Sequence, residues 1–174
     1  MDWLARLSLT RSDEPPRGGR GECAVAVILT VEGELLLVRR AERAGDPWSG
    51  QWALPGGFWK ERDGSLLETA FREVWEEVGI EAGGLKHVGW LKARSPRTRP
   101  DIVVYPFVFL AEGRLVVRLS DELENFRWVP LRGLERGVRL VETAQGPLEV
   151  EAYLWEGVAV WGLTYSVLKE LRGE

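Results

Sequence analysis

The residues best suited to chemistry lie in one short stretch, Arg72-Glu73-Val74-Trp75-Glu76-Glu77-Val78-Gly79-Ile80. On a helix, side chains four apart sit ~40° apart around the axis and ~6 Å apart along it. Glu73 and Glu77 therefore share a face, with Glu76 beside them, and Arg72 is placed to pair with Glu76. Three carboxylates on one exposed helical face repel one another. A hard divalent cation relieves that repulsion, because Mg²⁺ prefers oxygen ligands. A solvated acidic face is the alternative, since such helices are common. Just upstream, Pro55-Gly56-Gly57 allows the backbone to approach an ion or a phosphate closely.

Local signals position these groups. Ser65 with Glu68 three residues later is a capping-box start. Leu67, Ala70, Val74 and Val78 form an apolar stripe on the opposite face, and Gly79 can stop the helix. Residues 23–30 read as a buried strand, Glu32-Gly33-Glu34 as a turn, and 35–38 as a returning strand that ends in Arg39-Arg40. Residues 41–51 are loop-like. Strands are expected near 85–92 and 102–111, with a hairpin around Glu112-Gly113 and further strand over 114–119 and 126–129. A closing helix spans about 161–172, and no element is assigned between 130 and 160. Two helices among many strands give an α+β class, with a mixed sheet between helices. Residues 1–22, rich in Pro, Gly and charge from position 11, read as an N-terminal segment and flexible lead-in. Residues 23–174 read as one domain.

Composition narrows the function. Lys and Arg number 23 against 27 Asp and Glu, a net charge of −4. An acidic chain is a poor partner for nucleic acid or an anionic membrane, so neither is expected. An anionic substrate must then be held by local cations. Cys23 is the only cysteine, which excludes an internal disulfide and a Cys-based zinc site. His87 is the only histidine and reads as a surface turn-strand position, which leaves carboxylates as the main acid–base groups. The first ten residues lack a long apolar core and no run of ~18 apolar residues occurs, so a cytoplasmic location is expected.

Gly57 followed by Arg72-Glu73-x-x-Glu76-Glu77-x-Gly79 resembles the Nudix box. Five such fixed residues coincide by chance about once per million starting points. The resemblance runs over about residues 24–171. Gly57 and Arg72 are fifteen residues apart, with Asp63 between them, which is similar to the coenzyme A pyrophosphatase branch of the family. Other stretches carry the same likeness: Gly45-Asp46-Pro47-Trp48-Ser49-Gly50-Gln51, Ser65-Leu66-Leu67-Glu68-Thr69-Ala70, and Trp161-Gly162-Leu163-Thr164-Tyr165.

The resemblance implies a Nudix fold, a mixed sheet sandwiched between α-helices. It implies metal-dependent hydrolysis of a nucleoside diphosphate linked to another moiety. Coenzyme A heads the expected substrates, ahead of ADP-ribose, a dinucleotide or a damaged nucleotide. A catalytically silent nucleotide-binding domain is the rival from another class. By match to the box, Glu73 and Glu77 are the principal Mg²⁺ or Mn²⁺ ligands. Glu76 ligates a second ion or orients water, and the Gly57 carbonyl completes a shell. Glu122, six residues before Trp128, matches a later family acid and reads either as general base or as part of a charged turn. Arg40 matches a phosphate-contacting position, with a plain surface arginine as the alternative. Lys92, Arg94, Arg97 and Arg99 crowd one loop. Arg97 and Arg99 are the candidates for a remote phosphate, against solvated loop charge. Trp48, Trp52 and Trp59 flank the glycine loop and either stack on a base or pack in the core. A homodimer is expected from the family likeness alone.

Overall fold

The computed structural model describes residues 4–46, 48–143 and 145–174. Pro47, quoted above for the loop before the glycines, lies outside them, as do residues 1–3. The elements in chain order are β1 (Glu22–Thr30), β2 (Glu34–Arg40), β3 (Trp52–Ala53), β4 (Gly56–Phe58), α1 (Leu66–Val78), β5 (Lys86–Trp90) and β6 (Val103–Ala111). They continue as β7 (Leu123–Pro130), β8 (Glu135–Thr143), β9 (Gly146–Trp155), β10 (Val158–Trp161) and α2 (Gly162–Leu171).

β1 is the centre of a mixed sheet ordered β3-β2-β1-β6-β5, with β4 also against β1 and β7 against β2. The β1–β6 pair is parallel and the others are antiparallel. The apolar run of β1 has no polar alternation because both of its faces are covered. Ala24, Ala26 and Ile28 pack towards Leu66, Ala70, Val74 and Val78 of α1. Val27 and Leu29 pack on the other side with Val167, Leu168 and Leu171 of α2. The expected sheet between helices is therefore present. Among the described residues no helix is long and apolar enough to cross a membrane.

Three local expectations need correction. Residues 114–119 carry no strand. Leu115, Val117 and Leu119 do pack inward in alternation. However, the chain's donors go to the end of α1: Arg118 N–H reaches the Val78 carbonyl at 2.9 Å and Ser120 N–H the Glu77 carbonyl at 2.9 Å. Free carbonyls at a helix C-terminus accept what a strand neighbour otherwise would. A second sheet, β10-β9-β8, fills the interval left unassigned between 130 and 160. His87 does stand on a strand, β5, but it is half-buried, with its ring 5.8 Å from Phe107 and 5.6 Å from Phe109. The segment before β1 is tied to the domain in its described part. Leu7 is buried, and Thr10 and Trp90 exchange backbone bonds of 2.9 and 3.1 Å.

Candidate active site

The caps of α1 set the rotation of its carboxylates. The Ser65 hydroxyl accepts the Glu68 N–H at 3.2 Å, and the Glu68 carboxylate turns back to the Gly64 N–H at 2.8 Å. At the other end Gly79 is left-handed, at φ 66°, and its N–H reaches the Trp75 carbonyl at 3.0 Å. Glycine takes that conformation without a Cβ penalty.

Glu73 and Glu77 share a face, as the spacing requires, but that face is not exposed. They are 9% and 5% accessible, while the Glu76 side chain is 41% exposed. The cover is β4. A Cβ on Gly57 would lie 2.6 Å from the Glu73 carboxylate, and one on Gly56 would lie 2.3 Å from the Ala24 carbonyl. The Gly56 N–H donates to Glu77 Oε2 at 3.0 Å. Both glycines are thus demanded by close approach, on one side to the helix carboxylates and on the other to β1. Burial raises the Glu73 and Glu77 pKa values, and for Glu77 it does so up to about 8 against the opposing Gly56 bond.

Arg72 does far more than pair with Glu76. Its guanidinium forks on to Asp63 at 2.8 and 2.9 Å and donates to Glu73 Oε1 at 2.8 Å. It also reaches Glu76 Oε2 at 3.1 Å and the Phe58 carbonyl at 2.9 Å. Buried Asp63 accepts the Thr69 hydroxyl at 2.9 Å and the Lys60 N–H at 3.0 Å as well. The contacts of Thr69 and Lys60 with Asp63 are not legible in the sequence, because they depend on how loop 59–64 folds over the helix. The Arg72 bond holds the Asp63 carboxyl down at about 2.

A carboxyl depressed from 3.8 to about 2 stabilises the fold above its unfolded value, and the benefit is lost as pH falls between the two. Asp63→Asn should cost ~1–2 kcal/mol near neutral pH. Thermal melts across the acid range check this. The gap between wild type and variant should close as pH falls through that window, and a constant gap would contradict the assignment.

The remaining candidates gather at the same end. The Glu122 carbonyl accepts the Ala41 N–H at 2.9 Å, just beyond Arg40 at the close of β2. The charges of Glu122 and Arg40 both act on the Glu77 carboxyl. Glu122 is exposed. Arg40 is engaged with Asp46 at 2.9 Å, and Asp46 also accepts the Trp48 N–H at 3.0 Å.

The basic loop leads into β6, which runs beside β1. Cys23 lies opposite Phe58 of β4 on one side and Val104 of β6 on the other. Charges of both Glu73 and Arg99 act on its thiol, which burial pushes up to about 12. The loop and the carboxylates thus flank one sheet end. Arg99 forks on to Asp101 at 2.9 and 2.7 Å, Arg94 is bound to Glu170 and Ser166 of α2, and Arg97 is exposed. The tryptophans are each partly buried against a core cluster. Trp48 packs with Cys23, Ile102 and Val104, and Trp52 packs against the α2-side core. Trp59 lies on the α1-side core and donates to the Asp63 carbonyl at 3.1 Å.

Glu73, Glu77, Glu76, Glu122 and the Gly57 carbonyl offer only oxygen, which is the donor chemistry of a hard cation. Among the described residues no three His, Cys, Asp or Glu side chains already converge as a cage. Glu73 is instead held by Arg72 and Glu77 by the Gly56 N–H.

Comparison with known proteins gives the family. Residues 20–147 match the NUDIX domain family, and the chain belongs to the Nudix hydrolase family. The protein named "Uncharacterized Nudix hydrolase NudL" from Yersinia enterocolitica is 30% identical over 152 residues, which cover 84% of this chain and 76% of that one. A Schizosaccharomyces pombe protein is 35% identical over 108 residues, 58% of this chain and 32% of its own, so the chain spans about a third of that relative. The Nudix hydrolase RenU of M. smegmatis shares the fold at a TM-score of 0.54 and 20% identity, covering 79% of this chain and 86% of that one.

Proposed function

We propose that this protein hydrolyses a phosphoanhydride bond in a nucleoside diphosphate joined to a second moiety, using Mg²⁺ or Mn²⁺. The carrying observation is the pair Glu73 and Glu77, held side by side beneath Gly56-Gly57 by hydrogen bonds from Arg72 and the Gly56 N–H. Glu73, Glu77, Glu76 and the Gly57 carbonyl are the residues that would hold the cation. When bound there, it neutralises charge on the bridging phosphates and makes a water nucleophilic near neutral pH.

The chain supplies the rest. Arg72, braced by Asp63, fixes Glu73 and steadies Glu76. Glu122, exposed beside Glu77, takes the proton of the attacking water at its carboxylate. Arg40 exchanges Asp46 for a phosphate oxygen of the substrate.

The favoured substrate is coenzyme A, cleaved to 4′-phosphopantetheine and adenosine 3′,5′-bisphosphate. Two features support it over ADP-ribose, a dinucleotide or a damaged nucleotide. One is the fifteen-residue interval from Gly57 to Arg72, with Asp63 as the brace within it. The other is the basic loop at the same sheet end, where Arg97 and Arg99 can meet a remote phosphate.

Chelation tests the metal. Excess EDTA should abolish turnover, and added Mg²⁺ or Mn²⁺ should restore it. The protein should stay folded, with only the drop in melting temperature that loss of a native-state ligand brings, because the core stands without a metal. Turnover that survives EDTA would overturn the metal assignment. Absence of turnover on every substrate with either metal present would favour a binding-only domain.

A further inference from the structure

The small sheet ends on a long open edge. β8 pairs with β9 in unbroken register from Glu135↔Leu154 to Thr143↔Gly146. Among the described residues it pairs with no other strand. Proteins commonly blunt such edges with proline, a bulge, a short length or charged side chains. β8 has nine residues, no proline and no bulge, and its only such device is charge of both signs, Glu135, Arg136, Arg139 and Glu142, which an antiparallel copy can match. It also exposes two apolar side chains on one face, Val138 at 56% and Leu140 at 65%. Arg136 and Glu142 share that face, since alternate residues of a strand point the same way.

The exposed row is its own complement. Two copies of β8 laid antiparallel about a two-fold axis at Arg139 set Arg136 opposite Glu142 and Val138 opposite Leu140. The symmetry makes each match twice. Sliding the axis by one residue destroys both matches. Centred on Val138, Arg136 meets Leu140; centred on Leu140, Val138 meets Glu142. On the other face Gly137 meets Val141 and Glu135 meets Thr143. Arg139 meets its own copy, two long exposed side chains that water screens.

We propose that this protein forms a two-fold homodimer by antiparallel pairing of β8 with β8 of a second copy, so that two three-stranded sheets become one of six. The self-matching register commits the edge to a second copy, because an unrelated partner would need no such symmetry in this strand. The pairing stands independently of the hydrolase reading. β8 is the edge farthest from β10, the strand of this sheet that contacts β3, so the carboxylates of α1 stay uncovered.

Charge reversal tests the register. E142R places like charge opposite Arg136, and R136E places like charge opposite Glu142, twice in each dimer. Sedimentation of the full chain over a concentration series should show a wild-type dimer. Each single variant should have a dissociation constant raised about 10- to 100-fold. An equimolar mixture of the two variants should recover wild-type association, because each supplies the sign the other needs. Melting curves confirm folding, since Arg136 also pairs with Glu174. Hydrolysis, which uses other residues, should be unchanged in all three samples. A monomeric wild type, single variants that associate as wild type does, or folded variants whose mixture stays monomeric would each overturn the proposal.

Discussion

Glu77→Gln should lower kcat ~100-fold or more while the protein remains folded. Residues that merely orient a metal ligand already cost 10- to 100-fold when changed, so a direct ligand sets a higher floor. Gln keeps the shape and can still accept the Gly56 N–H, but it loses the charge. The same loss should follow Glu73→Gln, with Arg72 then deprived of one partner. Stability moves the other way for Glu77. Burial raises its carboxyl from 4.5 to about 8, with Glu73 and Glu122 adding to the rise. A group with a raised folded pKa favours the fold below its unfolded value and loses that contribution as pH climbs through the folded one. Metal-free wild type should therefore lose stability between those two values, and Glu77→Gln should lose less, because only Glu73 then remains raised by burial. Melting curves with chelator at both ends of that range check the stability arm. A full-rate Glu77→Gln enzyme would contradict the metal assignment.

Neutralising Arg97 and Arg99 together should lower kcat/KM for coenzyme A about 10- to 100-fold. The 3′-phosphate is a dianion remote from the cleaved bond, and a net charge of −4 gives it no general attraction. A charge-assisted contact contributes ~1.5–3 kcal/mol, which converts to that range. Arg99 must first leave Asp101, so exposed Arg97 is the readier of the two. Dephospho-coenzyme A, which lacks the 3′-phosphate, should be cleaved with little change. Equal losses on both substrates would place the loop elsewhere in the mechanism. No loss on either would make it solvated surface charge.

What could be read in advance follows from how local each feature is. Ser65, Gly79 and the apolar stripe between them define α1, because caps and periodicity act within a few residues. β1 is legible as a run buried on both faces. The alternation of Leu115, Val117 and Leu119 gives the correct inward face and the wrong element, since it says nothing about hydrogen-bond partners. β8 escapes notice because charges interrupt its apolar positions and much of it faces solvent. At the site, helical spacing places Glu73 and Glu77 together. Their burial comes from β4, and no helical argument contains β4. Sequence marks Arg40 and Arg99 as candidate phosphate contacts, but only folding reveals that Asp46 and Asp101 already hold them.

The most direct test of the account is product identification. Purified protein is incubated with Mg²⁺ or Mn²⁺ and a panel of coenzyme A, ADP-ribose and dinucleoside polyphosphates, beside a Glu77→Gln control, and the products are resolved by mass spectrometry. Adenosine 3′,5′-bisphosphate and 4′-phosphopantetheine should form from coenzyme A faster than any other products, and should be nearly absent in the control. Failure to cleave a phosphoanhydride in any member of the panel, with either metal present and the protein folded, would contradict it.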